Sequence, residues 1–254
     1  LFGVDSRKDT FTGLSDSIII ASINRKTGSV KLTSFARDTQ VDLEGFGIQK
    51  INAAYSKGGP ELAIKTLNQN FKMNIQDYVT INMRQLINVI DVAGGVTIDI
   101  TEDERISANG IMREISNKEP RIKKSGTVNL TGAQATAFCR IRHLDSDLYR
   151  MDRQKKVLEA LFAKAKTLSV KKLAETVHTI SPMVQTSMDN DDILKLSKVL
   201  TIDGAKIESL RFPHTNTKYQ SSAATGWLIK YDLDEAADQL HKFVFDDIRP
   251  DLKQ

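Results

Sequence analysis

The stretch SIIIASINRKTGSVKLTSF, residues 17–35, decides the fold class of this 254-residue chain. Its two runs of apolar and β-branched residues, Ser17 to Asn24 and Val30 to Phe35, have the composition of buried strands. The Arg25-Lys26-Thr27-Gly28 segment between them is typical of a hairpin turn. A further strand-like run, Leu1 to Val4, begins the chain. The N-terminal part is therefore predicted to be a β-sheet.

Helical periodicity follows this sheet. We predict a helix that begins at Pro60, because proline suits a first helical turn, and a second from Met83 to Ala93, which Gly94-Gly95 ends. Further along, the same reasoning predicts a long helix with an apolar face at Val157, Leu158, Leu161, Phe162, Ala165 and Leu168, helices at Val170 to Ile180, Asp191 to Leu200 and Asp234 to Phe243, and strands at Val96 to Ile100 and Lys206 to Phe212. Strands that alternate with helices favour an α/β or α+β fold, a layered sheet with helices packed over it.

Three shorter segments complete the predicted fold. The charged, aperiodic stretch Asp103 to Gly126 is interpreted as a long surface excursion. Thr131-Gly132-Ala133-Gln134 has the pattern of a capping box that opens a short helix, and Cys139 to His143 is predicted to be briefly extended. No repeat, linker or low-complexity tract divides the sequence, so we predict a single domain over residues 1–254.

Composition limits the classes of function. The chain is 40% hydrophobic and 27% charged, which is ordinary for a globular protein with a core, and its longest apolar stretches are far shorter than the roughly 20 residues that cross a bilayer. One cysteine, Cys139, excludes an intrachain disulfide and a multi-cysteine metal site; its thiol is predicted to be buried like a small apolar group. A metal, if one is used, should be a hard ion that prefers oxygen.

The net charge of +4 is concentrated in one segment. Residues 140–172 contain ten Lys or Arg against four Asp or Glu, so this segment more than accounts for the whole excess. Such a concentration indicates an anionic partner, which could be phosphate, nucleic acid or an acidic membrane surface. A solvated, lysine-rich helix face is the alternative.

Two aspartates stand at the edges of predicted strands. Asp5 lies in Gly3-Val4-Asp5-Ser6-Arg7, and Asp16 lies in Ser15-Asp16-Ser17. Two carboxylates with added phosphate oxygens suit Mg²⁺, which completes its octahedron with water and substrate. The alternative is two unrelated loop aspartates.

Basic residues supply the complementary charge. Arg37, at the end of a strand in Ser34-Phe35-Ala36-Arg37-Asp38-Thr39, is able to clamp a phosphate bidentately or to form a local pair with Asp38. Lys50, in Lys50-Ile51-Asn52-Ala53-Ala54-Tyr55, either assists it or faces solvent.

The densest basic cluster comes later in the chain. Arg140 and Arg142 would share one face if their segment is extended, and Arg150, Arg153 and Gln154 would share one side of a helix whose N-terminus favours a nearby anion. Converging arginines repel one another unless an anion neutralises them. Pairing with the local aspartates Asp145, Asp147 and Asp152 is the alternative.

Together these segments resemble the LytR-CpsA-Psr family. Its ordered motifs are all present: a Gly-x-Asp loop, Ser-Asp-Ser, Arg-Asp-Thr, Lys-Ile-Asn-Ala-Ala-Tyr, Gly-Gly-Val, Arg-x-Arg and Arg-x-x-Arg-Gln. The match runs from Leu1 to about Phe245. The resemblance implies a central mixed sheet covered by helices on both faces, with a hydrophobic tunnel for a polyprenyl chain and a charged mouth for its pyrophosphate.

The resemblance also implies roles, which we carry over motif by motif. Mg²⁺ or Mn²⁺ would be held by Asp5 and Asp16. Lys50 would orient or neutralise phosphates, and Asp147 is the candidate general base. The pyrophosphate would be bound by Arg37, Arg140, Arg142 and Arg150, with Arg7 and Gln154 added to that set.

The implied activity is a phosphotransferase that attaches a glycopolymer, such as teichoic acid or a capsular or secondary wall polysaccharide, from a polyprenyl-pyrophosphate carrier to peptidoglycan. The expected location is the extracellular face of the cytoplasmic membrane, in the cell-wall zone of a Gram-positive bacterium, with an N-terminal membrane anchor upstream of Leu1. A non-catalytic, regulatory binder of lipid pyrophosphates is the alternative. A nucleic-acid-binding regulator is disfavoured. The basic charge is accompanied neither by a recognition-helix pattern nor by a pattern of aromatic residues for base stacking, since only 6% of the residues are aromatic. We therefore expect no nucleic acid partner.

Overall fold

The computed structural model describes residues 1–6, 10–115, 119–142, 147–202, 204–214, 220–222 and 227–250. The strands are β1 (Phe2–Val4), β2 (Ser15–Ile23), β3 (Val30–Phe35), β4 (Gln40–Leu43), β5 (Gly47–Lys50), β6 (Val79–Asn82), β7 (Val96–Ile100), β8 (Gly126–Leu130), β9 (Gln185–Thr186), β10 (Ile207–Phe212), β11 (Gln220–Ser222) and β12 (Leu228–Lys230). The helices are α1 (Asn52–Phe71), α2 (Met83–Val92), α3 (Glu102–Ile115), α4 (Gly132–Cys139), α5 (Asp147–Lys166), α6 (Val170–Ile180), α7 (Asn190–Ser197) and α8 (Leu233–Phe245).

The central sheet has six strands in the order β10-β3-β2-β1-β6-β9. β2 pairs antiparallel with both β1 and β3, whereas β1 and β6, and β3 and β10, are parallel pairs. The sheet is therefore mixed. The hairpin predicted from residues 17–35 is confirmed at its centre, since Ile23 pairs with Val30 across the turn.

Helices cover both faces of this sheet, as the alternation along β2 shows. Ile18 and Ile20 point into a core formed with α1 and α8, while Ile19 points to the opposite face, against residues of α5. Successive side chains of a strand face opposite sides, so three consecutive isoleucines need cover on both faces of the sheet. The predicted fold class is confirmed.

A separate core forms beside the sheet. The antiparallel pair β7–β8 packs with α2, α3, α4 and α5 around buried residues such as Ile98 and Phe138. The predicted capping box opens α4: the Thr131 hydroxyl accepts from the Gln134 amide, and the Gln134 side chain accepts from the Thr131 amide. Gly132 follows because a Cβ there would lie 2.1 Å from the Ile87 carbonyl oxygen. This contact fixes α4 against α2.

The predicted start of the first helix is wrong. α1 begins at Asn52 and not at Pro60, and it contains a break at Gly58 and Gly59, where φ is −151° and +67°. Pro60 begins the segment after the break, with the φ that a first-turn residue needs. The sequence pattern located this second segment only.

Two other predictions are corrected. Residues 103–126 do not form an irregular excursion, because α3 occupies much of them and buries Ala108 and Met112 one turn apart. The segment predicted to be extended from Cys139 to His143 does not begin as a strand: Cys139 ends α4, and Arg140 has helical φ and ψ of −97° and −1°. His143 lies outside the described residues. α3 was missed because a charged helix that buries so narrow a stripe of residues gives little periodic signal in the sequence.

Within the described residues, no helix combines the length and the apolar character needed to cross a membrane.

Candidate functional site

The site is centred on the carboxylate of Asp16. Its Oδ1 accepts a hydrogen bond from Arg37 Nη1 at 2.8 Å, and its Oδ2 accepts from Arg142 Nη2 at 3.1 Å. Arg150 Nη2 donates to the Asp16 backbone carbonyl at 3.2 Å. Residues up to 134 positions apart in the chain thus meet at one point, as predicted.

Strand register brings the first pair together. Ile18 of β2 lies opposite Phe35 of β3, and Asp16 and Arg37 each stand two residues beyond that pair. In an antiparallel ladder, residues displaced equally in this way stay neighbours on the same face. The hairpin therefore positions the Asp16–Arg37 ion pair.

The C-terminal half supplies the other arginines. Arg142 follows the end of α4, and Arg150 lies in the first turn of α5, where it is only 2% exposed. Burying a guanidinium is costly unless it is paired and hydrogen-bonded. Three guanidinium groups around one carboxylate leave an excess of positive charge, which suits a polyanion.

A cavity of about 710 Å³ extends from this cluster between the sheet and α2, α5 and α6. Its wall is mainly apolar, with side chains from β1 and β6 on one side and from the three helices on the other. Leu158 and Phe162, which the sequence did not distinguish from ordinary core residues, both line it. Other apolar lining residues are Val79, Ile81, Leu86, Val89, Leu161 and Val177.

Charged and polar side chains from distant parts of the chain line the same cavity. Six of the residues singled out from the sequence are among them: Asp5, Asp16, Arg140, Arg142, Arg150 and Gln154. Lys164, further along α5, lines the cavity as well and donates to the Gly94 and Gly95 carbonyls. Arg140 also approaches Glu114 of α3, at 3.7 Å. Glu114 was missed because it lies in the segment that we interpreted as a surface excursion. The tunnel with a charged mouth that the sequence predicts has its counterpart here.

Arg37 and Lys50 do not line this cavity but a second one, of about 470 Å³. Lys50 Nζ lies 2.8 Å from Asp38 Oδ1, and Arg37 Nε lies 3.7 Å from Asp38 Oδ2. The local Arg37–Asp38 pair, an alternative from the sequence, is thus present together with the longer-range pair to Asp16. Lys50 is held in the second cavity by its ion pair with Asp38 and does not line the first cavity.

Arg153 does not belong to the cluster, contrary to the prediction. It is buried against α3, where its Nε donates to Glu104 Oε1 at 3.0 Å and its Nη1 donates to the Ile141 carbonyl. Of the three local aspartates considered as alternative partners, Asp152 contacts Arg211 of β10 at 3.4 Å, whereas Asp145 and the side chain of Asp147 lie outside the described residues. Arg153 therefore ties α5 to α3 and leaves Arg150 and Gln154 to the cavity.

Three further predictions have limited structural counterparts. Arg7 lies outside the described residues, as does the side chain of Asp147, whose backbone begins α5. Cys139 is buried as predicted, and burial raises the pKa of its thiol to about 12. Its thiol is therefore protonated at neutral pH and is no nucleophile.

The donor set at the mouth fits a hard divalent ion. Asp5 and Asp16 follow paired residues of β1 and β2, and the Asp5 amide donates to the Leu14 carbonyl at 3.4 Å. Asp5 and Asp16 both line the first cavity. Mg²⁺ commonly takes one or two protein carboxylates when phosphates and water complete its shell. The described residues contain no group of three His, Cys, Asp or Glu that would hold a metal without substrate.

Fold and site place the chain among α/β proteins of known structure. A structure of Bacillus subtilis TagV is 27% identical, with a TM-score of 0.77 over 98% of this chain and 96% of that one. A structure of TagT bound to LIIa-WTA is 25% identical, with a TM-score of 0.77 over 96% and 88% of the two chains. The chain belongs to the LytR_cpsA_psr family, whose sequence profile matches residues 1–241.

Relatives of assigned function carry the same region. The polyisoprenyl-teichoic acid–peptidoglycan teichoic acid transferase TagU of Oceanobacillus iheyensis is 36% identical over 79% of this chain. TagU of Halalkalibacterium halodurans is 33% identical over 85% of it. The chain spans 61% and 69% of those two proteins' lengths.

Proposed function

We propose that this chain is the catalytic part of a phosphotransferase that moves a glycopolymer from a polyprenyl-pyrophosphate carrier to peptidoglycan. The observation that carries the proposal is the junction of a mainly apolar cavity with the arginine cluster around Asp16. The names of the relatives, teichoic acid transferases, support the same activity and make teichoic acid the first glycopolymer to test.

In this proposal the first cavity holds the lipid tail. Its wall runs along α5 from Arg150 to Ala165, which at 1.5 Å per residue is about 22 Å. An apolar chain of that length would bury a large area, at about 0.8 kcal/mol per CH₂ group. The charged end of the cavity would then meet the head group.

The pyrophosphate binds at the arginine cluster. Arg37, Arg142 and Arg150 form planar, permanently charged donors, and Arg140 and Gln154 line the same wall. Arg7 belongs to this set by motif alone. In the transition state these groups stabilise the charge that grows on the phosphoryl oxygens.

Asp5 and Asp16 would hold Mg²⁺ or Mn²⁺, which when bound supplies further charge neutralisation at the phosphates. In the reaction, a hydroxyl oxygen of a peptidoglycan sugar forms a bond to the phosphorus that carries the glycopolymer. The bond from that phosphorus to the bridging oxygen breaks, and lipid monophosphate leaves. The hydroxyl proton passes to a base, for which Asp147 is the candidate by its place at the start of α5.

This activity assigns the site to the extracellular face of the cytoplasmic membrane, where carrier lipid and peptidoglycan meet. We propose that the full-length protein works there from an N-terminal anchor.

Substitution of the two central residues tests the proposal. Arg37→Ala and Asp16→Ala should each lower the rate of Mg²⁺-dependent transfer by at least about 100-fold, the size of effect seen when one preorganised charge-stabilising group is removed. Arg25→Ala and Asp99→Ala remove the same charges from exposed positions and should leave the rate unchanged. Wild-type rates in both central variants would exclude the proposed site.

The alternative is a binder without turnover. It would be favoured if the wild-type chain bound polyprenyl pyrophosphate tightly and transferred nothing to a supplied acceptor.

A further inference from the structure

The lysines that follow the arginine cluster have no role in the proposed reaction. Residues 155–172 contain six lysines and one acidic residue, Glu159, whose carboxylate accepts from the Ser209 hydroxyl. Residues 164–172, which we call the lysine-rich corner, contain four lysines and no acidic residue. They form the end of α5 and the start of α6. The basic charge of this segment therefore needs a partner other than the pyrophosphate.

The lysine-rich corner lies at the end of the first cavity that is distant from the arginine cluster. Lys164 lines the cavity 14 residues beyond Arg150 on α5, which at 1.5 Å per residue is about 21 Å. Its Nζ donates to the carbonyls of Gly94 and Gly95 at 2.7 and 3.0 Å, so the end of α2 lies beside the end of α5. The half-buried Leu168 also lines the cavity, which therefore comes close to the molecular surface here.

Apolar side chains are exposed in and beside the same corner. Val170, the first residue of α6, is 59% exposed, and Val92, the last residue of α2, is 39% exposed. Lys171 and Lys172 follow Val170 and are exposed as well. Lys172 Nζ approaches a Glu175 carboxylate oxygen only at 3.4 Å, and an exposed pair of this kind contributes little. Exposed valines beside lysines form an amphipathic surface.

This combination favours a bilayer surface over a soluble polyanion. Lysines alone would suit either partner, because both present phosphate groups. Exposed apolar side chains beside the lysines suit the boundary between head groups and acyl chains. The neighbouring end of an apolar cavity is explained only by a partner that is itself apolar inside.

We propose that the lysine-rich corner docks on the surface of a bilayer that contains anionic phospholipid. The inference rests on the proposed function in one respect, the lipid tail in the first cavity. Docking would place the apolar end of that cavity against the bilayer, so that the tail passes between the two without crossing water. A tail that crossed water would lose the hydrophobic stabilisation that it has in either place.

Sedimentation with vesicles that lack carrier lipid tests the docking. The wild-type chain should bind vesicles of phosphatidylglycerol and phosphatidylcholine, and added salt should weaken this binding. Lys171→Glu/Lys172→Glu should lower the affinity at least about tenfold, since each lysine at an anionic surface strengthens binding about fivefold. The variant should fold, because glutamate at position 172 would complete a capping box with Ser169, which already accepts from the amide of residue 172.

Two controls match these changes. Lys123→Glu/Lys124→Glu reverses the same charges at another exposed pair of adjacent lysines and should retain the wild-type affinity. Val170→Ser removes only the apolar part of the corner and should also weaken vesicle binding. Ile106→Ser, at an equally accessible position on α3 that is 56% exposed, should not.

Three results would overturn the proposal. One is equal binding of the wild-type chain to vesicles with and without phosphatidylglycerol. Another is an equal loss of affinity in the two double-lysine variants, which would show a general attraction of a basic chain. The third is an affinity for soluble long-chain polyphosphate that falls as much as vesicle binding in Lys171→Glu/Lys172→Glu, with Val170→Ser without effect, which would assign the corner to a soluble polyanion.

Transfer assays separate the docking from the proposed function. With the lipid-linked glycopolymer in anionic vesicles, Lys171→Glu/Lys172→Glu should transfer at least about fivefold more slowly than the wild-type chain. With the same substrate dissolved in detergent, the two rates should be equal. Equal slowing in both preparations would mean that the lysines act on the reaction itself and would overturn the docking. A wild-type chain that transfers nothing refutes the proposed function, and vesicle binding then still decides the docking.

Discussion

Replacing Asp16 by alanine should strengthen the binding of a lipid pyrophosphate in the absence of metal and, at the same time, abolish transfer. The Asp16 carboxylate occupies guanidinium donors of Arg37 and Arg142, at 2.8 and 3.1 Å. A pyrophosphate that binds these arginines without a metal has to displace that carboxylate and is repelled by its charge. Removal of the carboxylate should therefore strengthen metal-free binding.

The size of the effect follows from distance and exposure. Two unit charges roughly 5 Å apart interact by about 3 kcal/mol at an effective dielectric constant of about 20. The Arg142 side chain is 49% exposed, so water and salt reduce this to about 1 kcal/mol. We expect the metal-free Kd of a polyprenyl pyrophosphate to fall about fivefold in Asp16→Ala.

The assay is calorimetric titration of the lipid pyrophosphate with a chelator present and again with Mg²⁺. Asp99→Ala, from an exposed position on β7, is the matched control. With Mg²⁺ present, the wild-type chain should bind the lipid pyrophosphate more tightly than Asp16→Ala, because the variant lacks a proposed metal ligand. Transfer by the variant should be lost. Equal or weaker metal-free binding by a folded Asp16→Ala variant would refute the reasoning.

Three further predictions concern the cavity and the core. Leu161→Trp should weaken binding of long-chain pyrophosphates at least about tenfold in a titration and spare those whose tails span less than about 16 Å, because Leu161 lies 11 residues beyond Arg150 on α5. Arg153→Ala should lower the free energy of unfolding in urea by about 3–5 kcal/mol, because it leaves the buried Glu104 unpaired. Between pH 7 and pH 10 the wild-type chain should lose about 1 kcal/mol more stability in chemical denaturation than Cys139→Ala, because the unfolded thiol ionises above its ordinary pKa of 9 while the folded thiol stays protonated to about 12.

Each of these has a contrary result. Equal weakening of short and long tails by Leu161→Trp would place the lipid elsewhere. A loss below about 1 kcal/mol in Arg153→Ala would mean that Glu104 is solvated in the folded state. Parallel stability curves between pH 7 and pH 10 would show that the folded thiol ionises as readily as the unfolded one.

The parts of the fold that follow a simple period could be predicted from the sequence. β2 and β3 are runs rich in apolar and β-branched residues joined by a recognisable turn, and α5 has a broad apolar face. α3 escaped prediction because its wholly buried apolar residues are only Ala108 and Met112, amid charged residues. Its partner Glu104 looks like a surface residue until Arg153 is known to lie beside it.

The site shows the same division. Residues that belong to ordered motifs, such as Asp16, Arg37 and Arg142, were predicted to meet and do so. The ion pair of Lys50 with Asp38 was not predicted, because it depends on how β5 returns towards the end of β3. Tertiary pairing of this kind leaves no periodic trace in a single sequence.

The bond from Arg150 to residue 16 uses a main-chain oxygen. Every amino acid at that position offers the same acceptor, so substitution leaves the N-terminal turn of α5 attached to the sheet. Position 16 therefore tolerates changes of side-chain chemistry without release of the neighbouring helix, and such variants report on how the head group is bound and transferred.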